Sequence, residues 1–451
     1  MKTINRFFAV LVLILASGSA FAQDEINVPE IDNEQNGNVN PFHISFITPF
    51  GTNGTNSWKI TNVFSLNMFA GCSGGLNGAE IGGFYNILKG NMTGIQIAGF
   101  GNTDMGTTTG GQIAGFCNIN RKFLSGVQIA GFTNIVTDSI TAAQLSGFVN
   151  YANGSVKGLQ TAGFANVSKG SLTGGQVSGF AAFAHGRVHG AQVSGFINMS
   201  TGMLHGMQVA GFANISKGDS EGGQLGGFIN VNTGNMKGGQ IAGFANITTK
   251  DIKGVQLAGF FNMARKVTGA QIGVINIADT IDKGISFGIL SFVRKGYRAF
   301  EISGNESLYS TARFKTGTEY FYNIIAVGTS LSKNRLTWGY GYGIGTLVPV
   351  TGRINMNIDA VAWQINKDRW QTIHFNMVNK VNVCASVQLS EKFYVFGGMT
   401  WNVQVSDIYE NDGTEADVNL VRWSVYDRDN RNGTTNVKMY PGFVFGVRIQ
   451  N

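Results

Sequence analysis

Between residues 78 and 277 apolar and small residues recur with a spacing that extended chain supports and a helix does not. The run Gln240-Ile241-Ala242-Gly243-Phe244-Ala245-Asn246-Ile247 separates with period two into Gln, Ala, Phe and Asn on one face and Ile, Gly, Ala and Ile on the other, which predicts a strand. Four residues before most of the repeated glutamines stands a lone apolar residue (Leu124, Ile140, Val156, Leu172, Val188, Leu204, Met236, Ile252) among polar and glycine positions. That half of the unit predicts a turn, a short strand and another turn.

The pattern repeats. Glu80, Gln96, Gln112, Gln128, Gln144, Gln160, Gln176, Gln192, Gln208, Gln224, Gln240 and Gln256 fall sixteen residues apart. Four residues after each comes a phenylalanine, from Phe84 to Phe260, always behind a glycine. An asparagine follows two positions later, from Asn86 to Asn262, with Ala182 the exception, and a shortened copy, Gln271 to Asn276, ends the array. Spacing this regular demands that every copy see the same neighbours.

Two architectures satisfy it: a β-solenoid with one unit per coil, or consecutive hairpins of a large barrel. After two turns each hairpin strand keeps about six residues, roughly 20 Å, and a ~45° tilt leaves only ~14 Å of height. A membrane barrel needs an apolar band of about 25 Å. The solenoid is favoured, with like residues stacked every ~4.8 Å into amide ladders and apolar columns, thirteen coils making a rod about 60 Å long. Both faces of the long strand being mainly apolar or small calls for a partner surface, or for the barrel.

From about residue 284 the register gives way to longer alternating runs. Val381, Val383, Ala385, Val387 and Leu389 alternate with Lys380, Asn382, Cys384, Ser386 and Gln388, and Ile354, Met356, Ile358 and Ala360 with Asn355, Asn357 and Asp359. Trp338, Tyr340, Tyr342 and Ile344 alternate with glycines, and Met399 and Trp401 share a face. Apolar outside, polar inside and aromatics near strand ends describe a transmembrane barrel. Roughly eight such runs between Ile285 and Ile449 suffice for a small antiparallel one over 284–451. A soluble sandwich or lipocalin-like barrel shares the alternation.

Ahead of the repeats, Lys2 and Arg6 precede the apolar run Phe7 to Ala16, and Ala20-Phe21-Ala22 supplies a cleavage site. Residues 1–22 therefore read as a secretory signal, with the mature chain starting at Gln23. Residues 23–43 read as a flexible acidic leader. Residues 44–77 read as leading strands around the turn Gly51-Thr52-Asn53-Gly54, the carboxy-terminal sheet being a candidate partner.

Composition removes several classes. Sixty-four glycines against five prolines point away from helical domains, where glycine is costly, and the repeats account for the surplus. Removing Lys2 and Arg6 lowers the formal charge from +7 to +5, without a basic block to follow a nucleic-acid backbone. Cys72, Cys117 and Cys384, at unrelated spacings, read as small buried hydrophobes, with a Cys72–Cys117 bridge as a lesser alternative.

Phe64-Ser65-Leu66-Asn67 leading to Gly71, then Glu80-Ile81-Gly82-Gly83-Phe84 and the G-x-Q-I-A-G-F-x-N copies, resemble the bacterial surface-repeat envelope proteins. The ending Pro441-Gly442-Phe443-Val444-Phe445-Gly446-Val447-Arg448-Ile449 looks like the last strand of outer-membrane barrel proteins. The resemblance, over about residues 44 to 451, implies location far more than activity.

Candidate chemistry is sparse. His189 and His205 share one repeat position, so a solenoid stacks them ~4.8 Å apart with Glu221 on the next coil and His185 nearby, a conceivable metal or pH-sensing cluster. Elsewhere that position holds Thr, Ser or Lys, and the solvated-surface reading is preferred. Asp407, Glu410, Asp412, Glu415, Asp417, Asp427 and Asp429 lie in a polar stretch, 406–436, but Arg431 sits where a calcium ligand belongs. A long loop between barrel strands explains that stretch. His374 is the one histidine after residue 284, with no evident catalytic partner, and no phosphate loop, dinucleotide fingerprint or nucleophile elbow is recognised.

The expectation is thus an all-β, non-enzymatic outer-membrane or cell-surface repeat protein with a structural or adhesive role, without catalytic, cofactor or metal residues. Its expected partners are outer-membrane lipid and a surface polymer or another envelope protein, not nucleic acid. The alternative is a pore whose barrel strands are the repeats.

Overall fold

The computed structural model describes residues 38–332, 335–367, 375–408, 420–430 and 433–451. The expected signal, most of the acidic leader, His374 and much of the 406–436 loop lie outside the described residues.

Each unit makes one coil of two strands. In a representative coil these are Leu204–Ala210 and Ala213–Ser216. Each strand pairs in parallel with its copy sixteen residues on, Gln208 beside Gln224 and Asn214 beside Asn230. A β-solenoid of about fifteen coils results. Two details differ from the sequence reading. The lone apolar residue, here Leu204, begins the long strand rather than forming a separate short one. Phe212 does not continue the inner row, because Gly211-Phe212 is a bend that turns the chain and swings the ring out of the coil. The inner row is Leu204, Gln208, Ala210, Asn214 and Ser216, all buried.

Two glycine columns make this stacking possible. Gly206 has φ +137°, and a Cβ there would lie 1.9 Å from the Gly190 carbonyl oxygen; at the bend, a Cβ on Gly211 would lie 2.1 Å from that of Gly195. Both positions need close backbone approach, and the first also needs a conformation that costs other residues strain. Ala142 occupies the first column with φ 118° and carries that strain.

The core is amide-lined. From Gln96 to Gln271 each glutamine Nε2 donates to the preceding coil, as in Gln208 to Gln192 Oε1 at 2.8 Å and Gln96 to Glu80 Oε2 at 2.8 Å. The asparagine Nδ2 groups donate the other way, as in Asn214 to Asn230 Oδ1 at 2.9 Å, and also to a strand carbonyl just ahead of the next bend, Leu225 O at 2.8 Å. The two ladders run antiparallel, so their dipoles oppose, and buried amides find partners as they must. Ala182 interrupts the asparagine ladder and leaves Asn198 Oδ1 buried without a hydrogen-bond partner. Ala182→Asn is expected to restore both bonds and raise stability by about 1 kcal/mol, read as a higher urea midpoint; an unchanged or lower midpoint would show that the site cannot hold the larger side chain.

The leading strands do not join the carboxy-terminal sheet. Val39–Ile47 pairs in parallel with Thr61–Ser73, which pairs in turn with Gly75–Gly82 and Tyr85–Leu88, so they are the first coils of the solenoid. Asn67 supplies the reason: its Nδ2 donates to Glu80 Oε1 and to Asn86 Oδ1, each at 3.0 Å, which joins both ladders without the repeat motif. At the other end Ile285–Phe287 and Leu290–Val293 form a last coil, with Gln271 beside Ser286 and Asn276 beside Ser291. The boundary therefore lies near residue 296 rather than 284, because coils one residue short with serine for the amides still stack. The three cysteines are free thiols, so the Cys72–Cys117 bridge is not formed.

Eight strands follow: Tyr297–Asn305, Ser310–Gly317, Tyr322–Ser332, Arg335–Thr351, Ile354–Lys367, Asn376–Gln388, Phe393–Asp407 and Thr435–Gln450. Neighbours pair antiparallel, and the last returns to the first, Phe300 beside Ile449, closing a barrel. The short strand Tyr426–Asp429 pairs antiparallel with residues 436–439 of the last strand, ahead of the stretch 444–450 that meets the first strand. Solenoid and barrel meet where Asn323 Oδ1 accepts from the Ser291 backbone N–H and Asn323 Nδ2 donates to Gly288 O and Tyr342 Oη.

Candidate functional site: an inverted barrel and an apolar solenoid edge

The barrel is turned inside out relative to a soluble one. Residues the alternation placed outside, including Tyr340, Ile344, Val383, Val387, Met399 and Trp401, are exposed, while Asn357, Asp359, Lys380, Asn382 and Ser386 are buried in the lumen. At mid-lumen Glu301 accepts from Lys315 Nζ at 2.8 Å and Arg448 Nε at 2.6 Å, and Arg313 Nε lies 3.4 Å away. Asp359 takes Lys315 Nζ at 2.7 Å and the Tyr322 hydroxyl at 2.7 Å. The guanidinium groups of Arg313 and Arg448 also lie over the Phe396 ring. Three cations and two carboxylates thus fill the centre, each side chain being nearly or fully buried.

Toward one end the turn after Asn305 folds inward. Glu306 pairs with Lys380 Nζ at 2.8 Å and accepts from the Phe443 backbone N–H, while Leu308 is buried against the barrel wall. Leu420 and Val421 pack inward as well, the latter's carbonyl accepting from Lys438 Nζ. The lumen is therefore packed with paired side chains. The sequence shows the polar parity of these strands, but not that Glu301 and Arg448, 147 residues apart, would meet.

The solenoid has an apolar edge and a polar one. The phenylalanines at the bends, Phe84 to Phe260, form one stack headed by Phe69 of the strand Thr61–Ser73, with centroids 4.8 to 5.2 Å apart. Rings such as Phe100 and Phe84 remain 36% and 42% exposed despite their stacking neighbours. Beside them run columns of exposed Ile, Val and Leu such as Ile129, Leu225 and Ile241. No family model, curated protein or solved structure matches this chain.

On the polar edge His189 and His205 stack at 4.8 Å with an interplanar angle of 1°. His205 Nδ1 lies 3.2 Å from Glu221 Oε2, whose other oxygen meets Lys237 Nζ at 3.1 Å. The Lys237 ammonium draws the Glu221 carboxyl below its ordinary range. His185 stands in the neighbouring turn column rather than on the long strands, and its backbone carbonyl accepts from the Thr201 hydroxyl. Among the described residues no group of three or more His, Cys, Asp and Glu side chains is arranged to hold a metal ion. A shallow depression of about 370 Å³ next to this column is lined by charges of both signs, among them Asp219, Glu221, Lys237 and Lys253. In the acidic stretch, the described Asp427 and Asp429 both accept from Asn436 Nδ2, and Asp427 lies 3.4 Å from Lys438.

Two buried carboxyls in the core escaped the sequence reading. Glu80 heads the glutamine ladder, and burial raises its pKa despite donors from Gln96 and Asn67. Asp104, at the inner end of a short strand, is pushed up to about 7 by burial, with the Thr108 hydroxyl its bonded donor. Their signal was visible: acidic residues standing in columns otherwise filled by Gln, Asn, Ser and small apolar residues.

Proposed function

We propose that this chain is an exported envelope protein whose barrel is a sealed anchor in the outer membrane and whose solenoid is a structural or binding element held at that membrane. The observation that carries the reading is the inverted polarity of the barrel: exposed apolar side chains outside and buried ion pairs inside. In water that arrangement would expose the apolar face and bury the charges; in lipid both placements are the favourable ones. The signal-like residues 1–22 support export. A lumen filled by paired side chains favours an anchor over a pore, and surface polymers or other envelope proteins would meet the polar edge of the solenoid.

Reconstitution separates these readings. The protein is expected to require detergent for release from membranes and to leave planar bilayers electrically silent. Steady single-channel conductance would replace the anchor by a pore, and release by a salt wash would remove the barrel from the membrane altogether.

A further inference from the structure

The solenoid leaves its phenylalanine edge uncovered, although it lies on the part of the molecule that an anchor would hold away from lipid. We propose that this edge is itself embedded in one leaflet of the lipid bilayer, with the solenoid axis along the membrane plane. The inference rests on the membrane placement of the barrel.

The first argument is shape. The apolar surface wraps a corner: Met207, Val209 and their columns face outward on one strand ladder, Phe212 stands at the bend, and Ile215 faces outward on the other ladder. Such a wedge presents apolar flanks in opposing directions. A second rigid copy could cover one flank, whereas a fluid covers both.

The second is depth. From Met207 to the Phe212 bend the chain runs about five residues, roughly 16 Å of extended strand, close to the ~15 Å of a single leaflet's hydrocarbon. Beyond that depth the outward positions turn polar: His205, Glu221, Lys237 and Lys253 on the long strands, Lys169 and Lys217 at the turns. Along the axis, about fifteen coils at ~4.8 Å reach roughly 70 Å. That is more than twice the ~30 Å bilayer core, so a column apolar over its whole length meets hydrocarbon throughout only when it lies in the plane.

The third is the pairing of the N–H groups at the bend, which lipid demands. At a representative bend on the apolar edge the three successive N–H groups all find acceptors. Gly211 N–H donates to Ser194 O at 3.2 Å, Phe212 N–H to Phe196 O at 3.1 Å and Ala213 N–H to Phe196 O at 2.9 Å. The asparagine ladder takes a carbonyl just ahead of the bend, as Asn198 Nδ2 does with Val209 O at 2.7 Å.

The fourth is continuity with the barrel wall. Phe287, which extends the Ile column past Ile272, packs on Phe321 with centroids 5.1 Å apart, and the outward-facing Tyr342 of the barrel holds the Gly288 region through Asn323. The apolar edge thus runs into the barrel's own apolar exterior.

Single-cysteine variants of the full chain, with Cys72, Cys117 and Cys384 replaced by alanine, would carry an environment-sensitive fluorophore in phosphatidylcholine vesicles containing brominated phosphatidylcholine. Labels at Phe228→Cys and Ile241→Cys are expected to be quenched as strongly as one at Val383→Cys on the barrel wall, and a label at Thr233→Cys on the polar edge is expected to escape. Quenching at Val383→Cys alone would overturn the inference while leaving the anchored barrel standing; disulfide-linked dimers through Phe228→Cys would then identify a second copy as the cover. Equal quenching at Thr233→Cys would overturn the one-edged geometry. No quenching at Val383→Cys would remove the barrel from lipid and the inference with it.

Discussion

Replacing Glu301 by alanine is expected to destabilise the barrel by about 3–5 kcal/mol, because it leaves buried cations without their shared counter-ion. Glu301 contacts Lys315 and Arg448 directly and faces Arg313, and each of the four side chains is at most 4% exposed. Asp359 would remain as the sole carboxylate among three cations, and water has no ready access to screen them. The check is denaturant unfolding in detergent micelles, with Glu391→Ala, on an exposed turn, as the control. A Glu301→Ala midpoint equal to wild type would mean that the network does not hold the lumen closed. Glu301→Gln should lose nearly as much, since it keeps the volume but removes the charge.

The second large effect concerns pH. Asp104 has its carboxyl raised from 3.8 to about 7 by burial in the solenoid core. An acid whose folded pKa is raised favours the folded state while protonated, so its contribution is fully present below about pH 4 and is lost as pH climbs through 7. About three units correspond to roughly 4 kcal/mol at 1.36 kcal/mol per unit, an upper bound for one site. Asp104→Asn places there the residue that the next coil carries as Asn120. It is expected to match wild type at pH 4 and to be more stable at pH 8 by about 2–4 kcal/mol, measured as urea midpoints across that range. Parallel profiles for the two proteins would show that Asp104 ionises without penalty.

How legible all this was depends on the scale of the interaction. The sixteen-residue period and the strand alternation are local, and they lead to a solenoid and to an eight-stranded barrel without any contact being known. The Phe column was misplaced because Gly-Phe preserves the two-residue parity of a strand while its backbone turns; the constant glycine before each Phe was the available clue. The leading strands were misassigned because Asn67 does the work of two motif amides from a segment without the motif. The barrel charges were legible in parity, as Lys380 and Asp359 show, but their pairing depends on ring closure between the first and last strands, which no local pattern encodes. The polar edge was anticipated: the His189–His205 stack lies at the spacing the repeat dictates.

The opposed glutamine and asparagine ladders also bear on how such a chain can change over generations. Because the two rows of amides point opposite ways, adding a coil adds no net field to either end, and because each coil presents its successor with the same groups it received, a duplicated or lost unit rejoins without a seam. Recombination between near-identical stretches of the coding sequence can therefore lengthen or shorten the rod in steps of one coil, leaving both the junction with the barrel and the leading strands untouched. Reach becomes a heritable quantity, adjustable independently of chemistry.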